Sequence, residues 1–280
     1  MNIKVTADST CDLSSEILER YNITTIPLYI LKNGEEFRDG VDITPADIIA
    51  HVDAGGELCS TTAVNVADYI EMFSKFSPEY DAVFHVNIGA EFSSCYQNAC
   101  TAAEEFKNVY VIDSRNLSSG QGHVVVEAAI KGGAMDDPKQ LYDYLVKLTY
   151  RIEASFIMDR LDYMRKGGRC SAVTLLGANL LQLKPCIGVT DGKMGVDKKY
   201  RGSFKKCLDV YVKDRLQGRG DIAYDRIFIT HPACDKYVEH VRGEIAKYAE
   251  FDEVLETHAG CTVTCHCGPG TLGILFIRKE

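Results

Sequence analysis

The chain has 280 residues, 46% of them hydrophobic, enough for one large domain or two ordinary ones with sizeable cores and no need of a metal or disulfide framework. Lys and Arg number 31 against 40 Asp and Glu, a net charge of −9 that repels phosphate backbones and anionic bilayers and sets nucleic acid aside as a partner. No apolar run approaches the roughly 20 residues of a membrane span, and the opening residues carry no basic stretch followed by an apolar one, so we expect a cytoplasmic protein without integral membrane contact.

Short β-branched runs at 3–5, 25–31, 82–88, 109–112, 155–158 and 226–230 alternate with amphipathic stretches, the pattern of a mostly parallel sheet flanked by helices. After the first run, Asp8, Ser9, Thr10 and Asp12 read as caps of the following helix, with Glu16 in its first turns favoured by the dipole. The competing reading makes Asp8 an aspartyl nucleophile at a strand end, but no companion motif stands at a phosphatase spacing. Thr44-Pro45 opens a helix, and Asn65 caps another in which Val66, Tyr69, Ile70, Phe73 and Phe76 recur at helical spacing.

In the second half, runs at 186–190 and 194–198 flank Asp191-Gly192, a turn pair suited to an antiparallel hairpin, and the apolar run 272–278 reads as a buried final strand. The expected fold is therefore α/β with two domains. Residues 1–155 would form a three-layer α/β/α domain around a mostly parallel sheet, and residues 156–280 an α+β domain with a mixed or antiparallel sheet.

No nucleophile elbow G-x-S-x-G and no P-loop is present. Gly120-Gln121-Gly122 supplies two glycines of a dinucleotide fingerprint, but Val125 occupies the third position. The eleven cysteines are odd in number and without framework spacing, so they read as small core hydrophobes of a reducing compartment. Cys261, Cys265, His266 and Cys267 tempt a zinc reading, yet adjacent residues of an extended segment point to opposite faces and cannot share one ion. We expect neither metal nor cofactor.

Four segments join small hydroxyl residues and glycines to apolar runs: Ser60-Thr61-Thr62, Phe92-Ser93-Ser94, residues 165–169 ending in Arg169, and residues 266–270 beginning at His266. Hydroxyls and helix N-terminal amides suit an anionic head group. Singly, each has a blander reading: Thr61 and Ser93 as helix caps, Arg169 as a helix end, Gly268-Pro269-Gly270 as a turn.

In the order and spacing of its segments the chain resembles the DegV family over essentially its whole length. The stretches that carry the resemblance are DSTCDL at 8–13, FSSCYQ at 92–97, VIDSR at 111–115, LDYMRKGGRCS at 161–171, KP at 184–185 and HCGPGTLG at 266–273. The resemblance implies a non-catalytic protein that binds a long-chain fatty acid, tail in an apolar tunnel and carboxylate near the domain crevice; we expect a monomer. It also implies that the acid is presented to a separate fatty acid kinase subunit for acyl phosphate formation. Carried over by motif position, Thr61, Thr62, Ser93, Ser94 and His266 would hold the carboxylate, and Arg169 and Arg201 would lie at the rim or face the partner. Ala63 and Val64 stand where the family has Gln and Pro, which would cost the loop rigidity. Ser94 stands where the family has Gly, in a conformation expected to favour glycine. The alternative is a small-molecule transferase or hydrolase in which Asp8, His266 and Arg201 converge in the same crevice.

Overall fold

Strands that are apolar on both faces must be covered on both sides, and this chain has two sets of them with a shared cover between. The structure, a computed structural model, describes residues 1–174 and 183–280. The first half runs β1 (Ile3–Asp8), α1 (Ser15–Arg20), β2 (Ile23–Ile26), β3 (Tyr29–Lys32), β4 (Glu35–Arg38), α2 (Pro45–Asp53), β5 (Ser60–Thr62), α3 (Val66–Phe76), β6 (Ala82–Asn87), α4 (Cys95–Ala103), β7 (Val109–Asp113), α5 (Ser119–Gly132) and α6 (Pro138–Thr149). The second runs β8 (Ile152–Met158), α7 (Asp162–Gly167), α8 (Ser171–Thr174), β9 (Leu183–Thr190), β10 (Lys193–Arg201), α9 (Phe204–Leu216), β11 (Ile222–His231), α10 (Asp235–Ile245), β12 (Glu253–His258), α11 (Cys261–Cys267) and β13 (Thr271–Arg278).

Among the described residues, β2-β1-β6-β7 form a wholly parallel sheet, with Val5 registered against Ile23 on one side and Phe84 on the other. Strand order reverses between β1 and β6, which opens a crevice beyond their carboxyl ends. The second sheet has the order β10-β9-β8-β13-β11-β12, antiparallel except for the parallel pair β11-β12. β13 pairs on both sides, which explains the unbroken apolar run of the final strand. The hairpin turns on Asp191 and Gly192, at φ 50° and 78°, the positive values a two-residue turn of this kind requires. Residue 155, where the sequence suggests a domain boundary, lies inside β8 of the second sheet.

Helix α5 lies between the sheets, touching β1 and β6 on one side and β8 and β13 on the other. Ten of its fourteen residues are buried, as expected of a helix covered on two sides. Val124 and Val125 join Val5, Phe84, Phe228 and Leu275 in one core. The two glycines of the partial fingerprint serve this packing, since a Cβ at Gly122 would stand 2.8 Å from the Cys11 carbonyl oxygen. A nearly buried ion pair, Arg226 to Glu127 at 3.0 Å, joins β11 to α5.

Three sequence expectations are corrected. The run 25–31 is two strands in different sheets, because Pro27, which has no N–H to donate, separates β2 from β3. β3 instead joins β4 and β5 in a small antiparallel sheet. The segment 261–267 is not extended but helical. Its first N–H groups are satisfied by carboxylates far off in sequence: Asp12 Oδ1 accepts from Gly260 (2.8 Å), Asp39 Oδ1 from Cys261 (2.8 Å), and Asp39 Oδ2 from Thr262 (3.1 Å). Finally, Asp8 caps nothing with its side chain, and the helix after it is capped by Ser14, which accepts from the Ile17 N–H. Asp8 is fully buried. It accepts from the Ile88 N–H (2.8 Å), Asn87 Nδ2 (3.2 Å), Gln121 Nε2 (2.9 Å) and the Thr10 hydroxyl, stitching β1 to β6 and α5.

Helices α2 and α3 begin where the sequence places them. Thr44 forms a reciprocal capping box with Asp47, and Asn65 accepts from the Asp68 N–H.

Candidate functional site

Beyond the carboxyl ends of β1 and β6 lies a cavity of about 410 Å³. Loops that follow the strands of this sheet build one wall, with Leu28 after β2 and Ile88, Phe92, Ser93 and Ser94 after β6. β5 adds Thr61 and Thr62, and α11 closes the other side with Thr262, Val263 and His266. The structure thus brings together Thr61, Thr62, Ser93, Ser94, His266 and Arg169 from segments 205 residues apart at the extreme. Arg201 does not line the cavity. It is exposed at the end of β10, whose other end contributes Met194.

Thr61 Oγ1 and His266 Nε2 are hydrogen-bonded at 3.0 Å. Burial, reinforced by the positive charge of Arg169, pushes His266 down to about 4, so the ring is neutral at pH 7. Gly167 at the end of α7 permits this placement, because a Cβ there would stand 2.5 Å from His266 Nδ1. Among the described residues lining the cavity, Arg169 is the one charged side chain, and no carboxylate faces the interior. Ser93 Oγ accepts from the Cys95 N–H at 3.3 Å in the first turn of α4, so the hydroxyl and the positive end of that helix lie together.

The two departures from the family pattern find physical answers here. Val64 is wholly buried and its carbonyl accepts from Asn98 Nδ2 at 2.7 Å, which anchors the loop that lacks proline. Ser94 has φ −76° and ψ 2°, open to any residue, so the expected strain at a glycine position is absent. Asn65, Asn98 and Thr262 also line the cavity and escaped the sequence reading. Asn65 reads there only as a cap, and Asn98 is one polar residue of an amphipathic helix.

Away from the hydroxyls the walls are apolar, formed by Leu28, Ile88, Phe92, Leu117, Met164 and Val263. A narrow space of about 30 Å³ adjoins, sharing Leu117, Val263 and Cys267 and reaching Phe156 and Leu275 between the two sheets. Asp8 lies outside both, so Asp8, His266 and Arg201 do not converge as the enzyme alternative requires.

Fold and cavity together define an α/β protein of two large sheets and one small one whose pocket combines hydroxyl, amide, histidine and arginine side chains with apolar walls. The chain belongs to the DegV family, described as "Uncharacterised protein, DegV family", which it matches over residues 2–279. It is similar to a protein from Thermotoga maritima named fatty acid-binding protein, at 26% identity over 98% of this chain and 96% of the relative. The solved structure of a DegV family protein from Thermus thermophilus, described for its fatty acid binding, superposes with a TM-score of 0.90 at 26% identity, covering 99% of this chain and 100% of that one. A stearic acid-binding protein from Eubacterium ventriosum superposes with a TM-score of 0.83 at 26% identity, covering 99% and 98%. No helix among the described residues is long and apolar enough to cross a membrane.

Proposed function

We propose that this protein binds a long-chain fatty acid without transforming it and presents the carboxylate to a separate kinase subunit in the cytoplasm. The observation that carries the reading is the cavity's lining: hydroxyls, a neutral histidine and one arginine together with apolar walls, and no competing carboxylate among the described residues. Each methylene buried along Leu28, Phe92, Leu117 and Val263 contributes about 0.8 kcal/mol, so the tail drives association. The head group mainly sets orientation. A carboxylate taken out of water needs donors, and the Thr61 and Ser93 hydroxyls and the α4 terminus supply them, with neutral His266 donating its Nε2–H to Thr61 Oγ1 so that this hydroxyl is free to donate, and Arg169 adding positive charge. Arg201, exposed on β10, belongs in this reading to the face that meets the kinase subunit.

The first test is denaturing mass spectrometry with lipid extraction on protein purified without detergent, in which a long-chain acid should appear near one equivalent. Thr61→Ala and Ser93→Ala should each weaken palmitate binding by about 1 to 3 kcal/mol, the scale of a hydrogen bond to a charged group. An empty protein that also ignores added palmitate and oleate overturns the reading. Acyl phosphate should form only when ATP and a kinase subunit are both added; formation by the isolated protein contradicts the non-catalytic assignment.

A further inference from the structure

His266 and Arg169 also line a second, partly open cavity of about 330 Å³ on the far side of the head-group site, whose walls include Cys59, Ser60, Lys166 and Cys265. Cys59 directly precedes β5, the strand that carries Thr61, and Cys265 directly precedes His266 on α11. The two thiols meet inside one small core with Ile30, Ile43, Ile48 and Cys261. Each is the other's strongest electrostatic partner.

This contact separates the pair from the other cysteines. Burial pushes the thiols of Cys11, Cys95, Cys234 and Cys267 up. Cys59 moves the other way, down, because Cys265 beside it stabilises its thiolate and the Lys32 ammonium adds to the effect, while Cys265 itself is pushed up. Cys59 is also the more exposed of the two, 7% against 2%, so it is the sulfur an incoming reagent meets first, with Cys265 packed behind it. Lys166 and Arg169 outweigh Glu57 at the cavity's rim, which favours an anionic reactant.

We propose that Cys59 and Cys265 are a thiol–disulfide exchange pair that attacks small anionic disulfides entering through the second cavity and closes into an intramolecular bridge between β5 and α11. In the first step the Cys59 thiolate attacks one sulfur of R–S–S–R, forming a mixed disulfide and releasing RS⁻. In the second, Cys265 gives up its proton to solvent and attacks Cys59 Sγ, releasing the second RS⁻. Two protein thiols are oxidised to one disulfide, and R–S–S–R is reduced to two RSH after protonation. The bridge would pull on the residues immediately beside Thr61 and His266, so oxidation should weaken ligand binding. That consequence, unlike the exchange chemistry, rests on the fatty-acid reading above.

The test uses the full chain, reduced, with iodoacetamide and oxidised glutathione as probes and peptide mapping as readout. Cys59 should alkylate fastest of the eleven cysteines at pH 7, and Cys265→Ser should slow it at pH 7 but not at pH 9.5. Oxidised glutathione should yield a peptide joining Cys59 to Cys265 in the wild type, and a persistent mixed disulfide at Cys59 in Cys265→Ser. Palmitate affinity should fall about tenfold in the oxidised protein, the loss of one good hydrogen bond to the carboxylate, and recover on reduction. Alkylation of Cys59 no faster than that of Cys267, or no joined peptide from the wild type, overturns the exchange pair without need of any variant. A joined peptide with unchanged palmitate affinity overturns the regulatory consequence. Failure of palmitate to bind either form counts against the fatty-acid reading, while the joined peptide still decides the exchange pair.

Discussion

Asp39 holds the helix that closes one side of the site, and removing it should be costly. Its carboxylate is 4% exposed and accepts four hydrogen bonds, from the N–H groups of Cys261 (2.8 Å) and Thr262 (3.1 Å) and the hydroxyls of Thr262 (2.7 Å) and Ser9 (3.1 Å). In Asp39→Ala the hydroxyls can rotate to other acceptors, whereas the two amides of α11 are fixed by the backbone and lose their partner. An orphaned buried N–H costs about 1 to 3 kcal/mol, and the attraction between the carboxylate and the helix terminus is lost as well. Relief of the repulsion between Asp39 and the nearby Asp12 returns part of this. We expect Asp39→Ala to lose about 3 kcal/mol and Asp39→Asn, which keeps one acceptor, about half as much. Urea unfolding followed by circular dichroism measures both. A loss below about 0.5 kcal/mol in the alanine variant would refute the view that this carboxylate organises α11.

Arg226→Leu strands the Glu127 carboxylate against α5 and should cost about 3 to 5 kcal/mol in the same assay, most of it recovered when Glu127 is also replaced by an apolar residue. His123, buried in α5 with Nε2 donating to the Leu275 carbonyl at 2.9 Å, is pushed down by burial to about 3. Below pH 6.5 the unfolded chain takes up a proton there that the folded chain refuses, so stability falls by about 1.4 kcal/mol per pH unit from this group. The stability gap between wild type and His123→Gln should accordingly narrow by about 1 kcal/mol between pH 7.5 and 5.5, and parallel pH curves would contradict it. Val263→Phe, placed where the main cavity meets its narrow extension, should shift the extracted or preferred acid toward shorter chains, read by mass spectrometry.

What the sequence made legible follows from the range of the forces involved. Strands β1, β6 and β7 announce themselves by runs of β-branched residues, and the 183–201 hairpin by a turn pair whose backbone needs are local. The helical state of 261–267 could not be read that way. Its β-branched residues favour a strand locally, and the carboxylates that hold it as a helix lie more than 200 positions earlier. Asp8 misled for the same reason: a carboxylate followed by Ser-Thr looks like a cap until Gln121 and Asn87 arrive to bury it. The hydroxyl and glycine segments of the cavity could be marked from sequence. The amides of Asn65 and Asn98 could not, because helix positions alone do not say which face meets a cavity.

The path of the chain through the site also sets a timetable for its biosynthesis. Thr61 and His266 are 205 residues apart, and the contacts that hold α11 span up to 248. At about 5 to 20 residues per second on the ribosome, the first half of the pocket emerges roughly 10 to 40 s before the helix that completes it. During that interval β1, β6 and β7 can already pair, but the apolar surface around Leu28 and Phe92 lacks its cover, and a nascent chain is exposed there to chaperones or to stray amphiphiles. The binding site is thus among the last parts of the molecule to exist, and a chain halted before α11 would carry the sheet without the pocket.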